Sequence, residues 1–309
     1  MNPSRLMRGA ALVAALSTFA APAAATAAKQ PARGGKQAAP QLLVSLGDSY
    51  ASGYQPPAAG RFAGNTTQGF VYQIPPLAKR RGWKLNVVNF ACAGATSSSL
   101  LEQKGCRKAA LGPGARPYGG KTQVQAATQF IKQNRANVGL ITVSIGGNDV
   151  TSCVSDPTNA VTCVANAIAP LQRNLGSLVT QLRRAAGPKV RIVGITYPDV
   201  ILGGYLTPAG QPLATLSVGA FQRLINPSLQ RAYESVGGTF VDVTKATGAY
   251  TPLTDTTSLA PYGTIPVAVA KVCQLTWYCA AQDIHARAPG YKLIADLVAR
   301  TLPKQKLGK

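Results

Sequence analysis

The chain of 309 residues carries 32 Lys and Arg against 10 Asp and Glu, a net charge of +22, with one His and six Cys. One histidine and no C-x-x-C pair leave zinc without a ligand set, so no metal is expected. The positive excess suits nucleic acid, anionic lipid, acidic polymer or plain colloidal solubility. Its bases are dispersed and accompany no helix-turn-helix, zinc finger or aromatic RNA-binding motif, so no specific nucleic-acid partner is expected.

Arg5 and Arg8 precede an apolar, alanine-rich run from Gly9 to Ala21, and the small residues Ala25-Thr26-Ala27-Ala28 follow. That order predicts a secretory signal peptide over 1–28. A membrane anchor is disfavoured, because the run is short, broken by Pro22 and followed by no charged stop. Residues 29–41 form a flexible basic leader rich in Gly, Pro and Ala, and 303–309 form a similar basic tail. One domain is expected over 42–302, secreted and monomeric. The cysteines fall as close neighbours, and spacings this short favour the disulfides Cys92–Cys106, Cys153–Cys163 and Cys273–Cys279 over free thiols.

Five β-branched, apolar runs predict strands at 42–46, 85–90, 138–145, 190–196 and 239–243. Between the third and fourth, Leu171, Leu175, Leu178 and Leu182 share one helical face, and Gly187-Pro188 ends it. Pro170 fits the first turn of this helix or a kink in a longer one. A second helix is predicted over 215–236, bent by Pro227, with Val218, Phe221, Leu224 and Ile225 on its apolar face. The last helix runs from Pro289 to Leu302. Alternating strands and helices predict an α/β fold with a parallel sheet covered on both faces. Ligands of such sheets bind beyond the carboxyl ends of the strands.

Four short segments lie at such places. Ser49 follows the first strand in Gly47-Asp48-Ser49-Tyr50, where a serine caps a helix or attacks a substrate. The elbow G-x-S-x-G is absent, since Ala51 takes its last place. His285 is the sole histidine, so any histidine base must be this residue. Asn148, in Gly146-Gly147-Asn148-Asp149, carries a neutral amide suited to a developing oxyanion, and a turn explains the same residues. Gly94, after the second strand, offers a backbone N–H or a turn.

In order and spacing, Gly47-Asp48-Ser49-Tyr50, Gly94, Gly146-Gly147-Asn148-Asp149 and His285 through Gly290-Tyr291 resemble the four blocks of the SGNH/GDSL hydrolases. The secreted, disulfide-containing esterases and lipases of actinobacteria are the nearest type. The resemblance implies a flavodoxin-like, three-layer α/β/α fold on a five-stranded parallel sheet, without cofactor. It implies Ser49 as nucleophile, His285 as general base and acid, and an oxyanion hole of Ser49 N–H, Gly94 N–H and the Asn148 side chain. The family's Asp stands three residues before its histidine, where this chain has Gln282. Either Asp283 or a backbone carbonyl then orients His285. Each disulfide loop would stiffen one segment carrying a block.

The implied reaction is hydrolysis of carboxylic esters, lipid or other, with the basic surface able to meet anionic membranes or polymers. A carbohydrate acetylesterase and a non-catalytic polyanion-binding domain are the alternatives. The stretch 244–282, with Pro252, Pro261 and Pro266, is expected to supply a substrate-contacting loop.

Overall fold

A computed structural model of the protein describes residues 40–151, 153 and 158–305. The predicted signal peptide, nearly all of the basic leader and the last four residues of the tail lie outside the described residues.

The segment Val138–Ser144 reads VGLITVS, and all seven of its residues are buried. A strand with no polar face fits only the middle of a sheet covered on both sides. We number the sheet strands β1 (Gln41–Gly47), β2 (Leu85–Asn89), β3 (Val138–Ser144), β4 (Arg191–Ile195) and β5 (Thr239–Val241). They pair in the order β2-β1-β3-β4-β5, every neighbour parallel. This is the doubly wound, flavodoxin-like order, whose switch point lies between β1 and β3.

The longer helices are α1 (Phe70–Lys79), α2 (Gln123–Gln133), α3 (Ala160–Ala186), α4 (Gln211–Ala220), α5 (Asn226–Glu234), α6 (Val267–Leu275) and α7 (Ala288–Thr301). On one sheet face, Leu43, Leu140 and Val193 pack against Phe70 and Ile74 of α1 and Ile294 and Val298 of α7. On the other, Val44, Ile141 and Ile192 meet α2, α3 and α5 through Ile131, Leu178 and Leu229. Consecutive strand residues thus enter opposite cores, as a period of two requires. Each fully buried Leu or Ile contributes roughly 1.5–3 kcal/mol through burial.

The five strands lie where the apolar runs placed them, within one or two residues at their ends. Pro170 sits inside α3, which begins ten residues earlier, at Ala160. The helix predicted over 215–236 is two, joined by a π-helical turn at Phe221–Ile225. Pro227, in the first turn of α5, has no N–H for the carbonyl of Arg223, and the ladder is disturbed just before it.

The stretch 244–282 is mostly regular: a hairpin of Thr256–Leu259 with Gly263–Pro266, then α6 and a one-turn helix Tyr278–Ala281. The beginning of the basic tail is docked rather than loose. The Trp83 indole donates to Pro303 O (2.8 Å), and Gln305 N donates to Arg81 O (2.9 Å). No described helix is long and apolar enough to cross a membrane.

Candidate active site

Ser49, Gly94 and Asn148 follow the carboxyl ends of β1, β2 and β3, around the switch point. Gly47 ends β1 with φ +142°, and a Cβ there would lie 2.1 Å from the Ser144 carbonyl oxygen of β3. Only glycine admits that approach. The Gln123 amide, at the start of α2, clamps the same peptide, accepting from Gly47 N (2.7 Å) and donating to Gly47 O (3.0 Å). The chain therefore leaves the sheet in a fixed direction, straight into the one-turn helix Ser49–Ser52.

Asp48 caps that turn, its Oδ1 accepting from Tyr50 N (3.0 Å), while Oδ2 accepts from the Tyr197 hydroxyl (2.6 Å). The carboxyl is 1 % exposed. Burial pushes it up to about 7, against the pull of these two hydrogen bonds. Tyr197 also packs beneath the Asn148 loop, since a Cβ on Gly147 would stand 3.0 Å from its ring. One buried carboxyl and one phenol thus tie the Ser49 turn to the segment carrying Asn148.

The two donor loops are tied to each other as well. Asn148 Nδ2 donates to Ala95 O (2.8 Å), which occupies one of its two amide hydrogens and leaves the second for another acceptor. The Asp149 carboxylate accepts from Ser97 N (2.9 Å) and from Ser97 Oγ (2.5 Å). Gly94 holds φ +85° between these anchors and the Cys92–Cys106 disulfide. The sequence includes Asp149 in the Gly146–Asp149 block without giving it a role. Its position beside Asn148 was the available signal.

The histidine segment turns on Gln282, whose φ of +51° is the one positive value outside glycine among the described residues. The reversed chain lets Asp283 reach two residues ahead. Its Oδ1 accepts from His285 N (2.9 Å) and lies 2.7 Å from His285 Nδ1. Burial raises the Asp283 carboxyl, but the hydrogen bond and charge of His285 outweigh it and hold the group below the usual carboxylate range. Nε2 of His285 is buried and has no protein partner among the described residues.

Three bonds pin this segment to the chain following Ser49. The Tyr50 hydroxyl donates to Ile284 O (2.6 Å), Gln55 Nε2 to Ala286 O (3.0 Å) and the Tyr291 hydroxyl to Tyr54 O (2.8 Å). The Tyr54 and Tyr50 rings flank the imidazole, with centroids 4.4 and 5.9 Å away. Disulfides join Cys92 to Cys106, Cys153 to Cys163 and Cys273 to Cys279, the pairs that the spacing favours.

A cavity of about 370 Å³ opens beside Ser49 and Asn148. Its walls come from the start of α3, the segment after β4, α4 and α5, with Val164, Ile201, Leu213 and Phe221 among them. None of 244–282 lines it. Gly94 lines a smaller, separate cavity of about 170 Å³.

A doubly wound sheet with a serine turn, two donor loops and a carboxylate-bound histidine at its carboxyl edge is the frame of a hydrolase. Residues 45–293 match the model of the GDSL-like lipase/acylhydrolase family, and the chain belongs to that family. It is a carboxylic ester hydrolase. Among solved structures, the chain is similar to phospholipase A1 from Streptomyces albidoflavus. They share 18 % identity over 85 % of this chain and 99 % of that one, with a TM-score of 0.49. An extracellular lipase from Streptomyces rimosus is 17 % identical over 84 % of this chain and 99 % of that one, with a TM-score of 0.48. A carbohydrate esterase family 3 enzyme from Talaromyces cellulolyticus is 11 % identical over 84 % and 95 %, with a TM-score of 0.43. Compared by sequence with curated proteins, the chain matches none.

Proposed function

We propose that the protein is an exported esterase that cleaves lipid-like carboxylic esters through an acyl-enzyme on Ser49. The observation that carries this reading is the Asp283–His285 pair, bound at 2.7 Å, in a segment hydrogen-bonded to the turn that bears Ser49. With Nδ1–H held by the carboxylate, the neutral imidazole presents its lone pair at Nε2, the tautomer a general base needs.

In acylation, Ser49 Oγ attacks the ester carbonyl carbon and its proton passes to His285 Nε2. The carbonyl oxygen becomes an oxyanion, received by the N–H groups of Ser49 and Gly94 and the second amide hydrogen of Asn148. Asp283 stabilises the imidazolium. The C–O bond to the leaving alcohol breaks, and the alcohol oxygen takes the proton from Nε2. In deacylation water loses a proton to His285, attacks the acyl carbon and releases the acid, and Oγ recovers its proton.

The large cavity beside Ser49 has almost wholly apolar walls, and among the described residues its ionisable side chains are Asp48, Arg223, Tyr50 and Tyr197. Such walls bind a hydrocarbon chain at roughly 0.8 kcal/mol per buried methylene and offer an acetyl group little. This supports acyl-lipid esters over carbohydrate acetates. Export is supported by the leader read over 1–28 and by three disulfides. The test is turnover of p-nitrophenyl esters from C2 to C16. We expect a rise in kcat/KM beyond C4 and its loss in Ser49→Ala and His285→Ala variants that melt like wild type. A sharp fall beyond C4 would favour the acetylesterase, and a fully active Ser49→Ala would remove the mechanism.

A further inference from the structure

Among the described residues four large apolar side chains are exposed: Phe62, Val161, Leu216 and Leu224. Three of them, Val161 (60 % exposed), Leu216 (55 %) and Leu224 (48 %), belong to the walls of the cavity beside Ser49. They come from three separate elements: the start of α3, the middle of α4 and the π-helical turn before α5. Scattered single apolar residues need no explanation, but a concentration at one opening does.

Among the described residues that line the cavity, the charged side chains are Arg223 and the buried Asp48. Arg223, next to Leu224, is part of the cavity wall. Between residues 158 and 233 the single acid is Asp199, which is fully buried. Of the acids near the cavity floor, Asp48 is buried, Asp149 is held by Ser97 and Asp283 by His285.

We propose that this mouth is a docking face for an anionic phospholipid bilayer, with Val161, Leu216 and Leu224 entering the acyl boundary and Arg223 meeting the head groups. The proposal deepens the reading of Ser49 as nucleophile, because a cavity opening into the bilayer receives its acyl chain without exposing it to water. An apolar edge with a base beside it adsorbs to anionic lipid by both burial and charge.

Co-sedimentation of the full chain with vesicles tests it, using Ser49→Ala so that no lipid is consumed. Phosphatidylglycerol vesicles should bind the protein at least tenfold more tightly than phosphatidylcholine vesicles, and the difference should shrink with salt. In that background, Val161→Ser, Leu216→Ser and Leu224→Ser together should weaken binding at least tenfold, and Arg223→Gln roughly fivefold, as about 1 kcal/mol per base implies. Leu224→Trp should give fluorescence that shifts to the blue on phosphatidylglycerol vesicles and is quenched by brominated acyl chains. Unchanged binding of the triple variant, or no shift and no quenching, would overturn the proposal. So would a dimer in vesicle-free solution that the triple variant abolishes, since a second copy would then be the occupant. Labelling of wild-type Ser49 by a fluorophosphonate separates the two readings. Labelled protein that ignores vesicles defeats the docking face alone, and unlabelled protein that binds them defeats the nucleophile alone.

Discussion

Asp48 makes the stability of the protein fall as the medium becomes neutral. Its carboxyl, next to Ser49 in sequence, is raised from 3.8 to about 7 by burial. A carboxyl whose folded-state pKa lies above its unfolded one favours the fold when protonated. Its contribution is complete below about pH 4 and is lost as pH rises toward 7. A shift of that size is worth about 4 kcal/mol in all, of which roughly 2–3 kcal/mol falls between pH 5 and pH 8. Asp48→Asn removes the titration while keeping an oxygen for Tyr50 N. Urea unfolding of both proteins at pH 5 and pH 8 gives the double difference directly. The variant should lose about 2–3 kcal/mol less than wild type between the two values. Parallel pH profiles for the two proteins would refute a buried, proton-holding Asp48.

Other expectations follow from the same geometry. Asp283→Asn should lower kcat on the order of 10²–10⁴-fold with little change in KM, through the wrong tautomer and a less stable imidazolium; steady-state kinetics check it, and an undiminished kcat would leave His285 oriented by another group. Asp149→Ala frees Ser97 N and Oγ and loosens one donor loop against the other, so kcat should fall on the order of tenfold while the thermal midpoint moves by only a few degrees. Replacing Cys92 and Cys106 by Ser opens a loop of 14 residues' separation and should cost about 3 kcal/mol in urea unfolding.

The strands and their order of chemistry were legible because β-branched runs such as Val138–Ser144 leave no polar face to expose. The proposed pairing of Ser49 with His285 comes from another signal: a single histidine leaves one possible histidine base. The partner of His285 was not legible. A carboxylate two residues away reaches the ring only if Gln282 adopts φ +51°, and nothing in a glutamine marks that conformation. The helix α1 was hidden by Pro75 and Pro76, although Phe70, Val71, Ile74 and Ala78 bury one face. The prolines of 244–282 suggest a loop there, whereas the walls of the large cavity come from helices whose apolar residues read as core. Leu224, assigned by period to an inward face, is 48 % exposed at the cavity mouth. A helical period finds an apolar stripe but not whether protein or ligand covers it. Asp149 stands in the quoted Gly146–Asp149 block, but its contact with Ser97, 52 residues away in the chain, was not legible there.

The central claim is that Ser49 is the residue that becomes acylated. Intact-mass and peptide analysis of the enzyme after a fluorophosphonate, with the rate of labelling followed in the wild type and in His285→Ala, tests it most directly. The account predicts one adduct per chain, located on Ser49, and labelling on the order of 10²-fold slower or worse without His285. An adduct on any other residue, or labelling of Ser49 at an unchanged rate in His285→Ala, would contradict it.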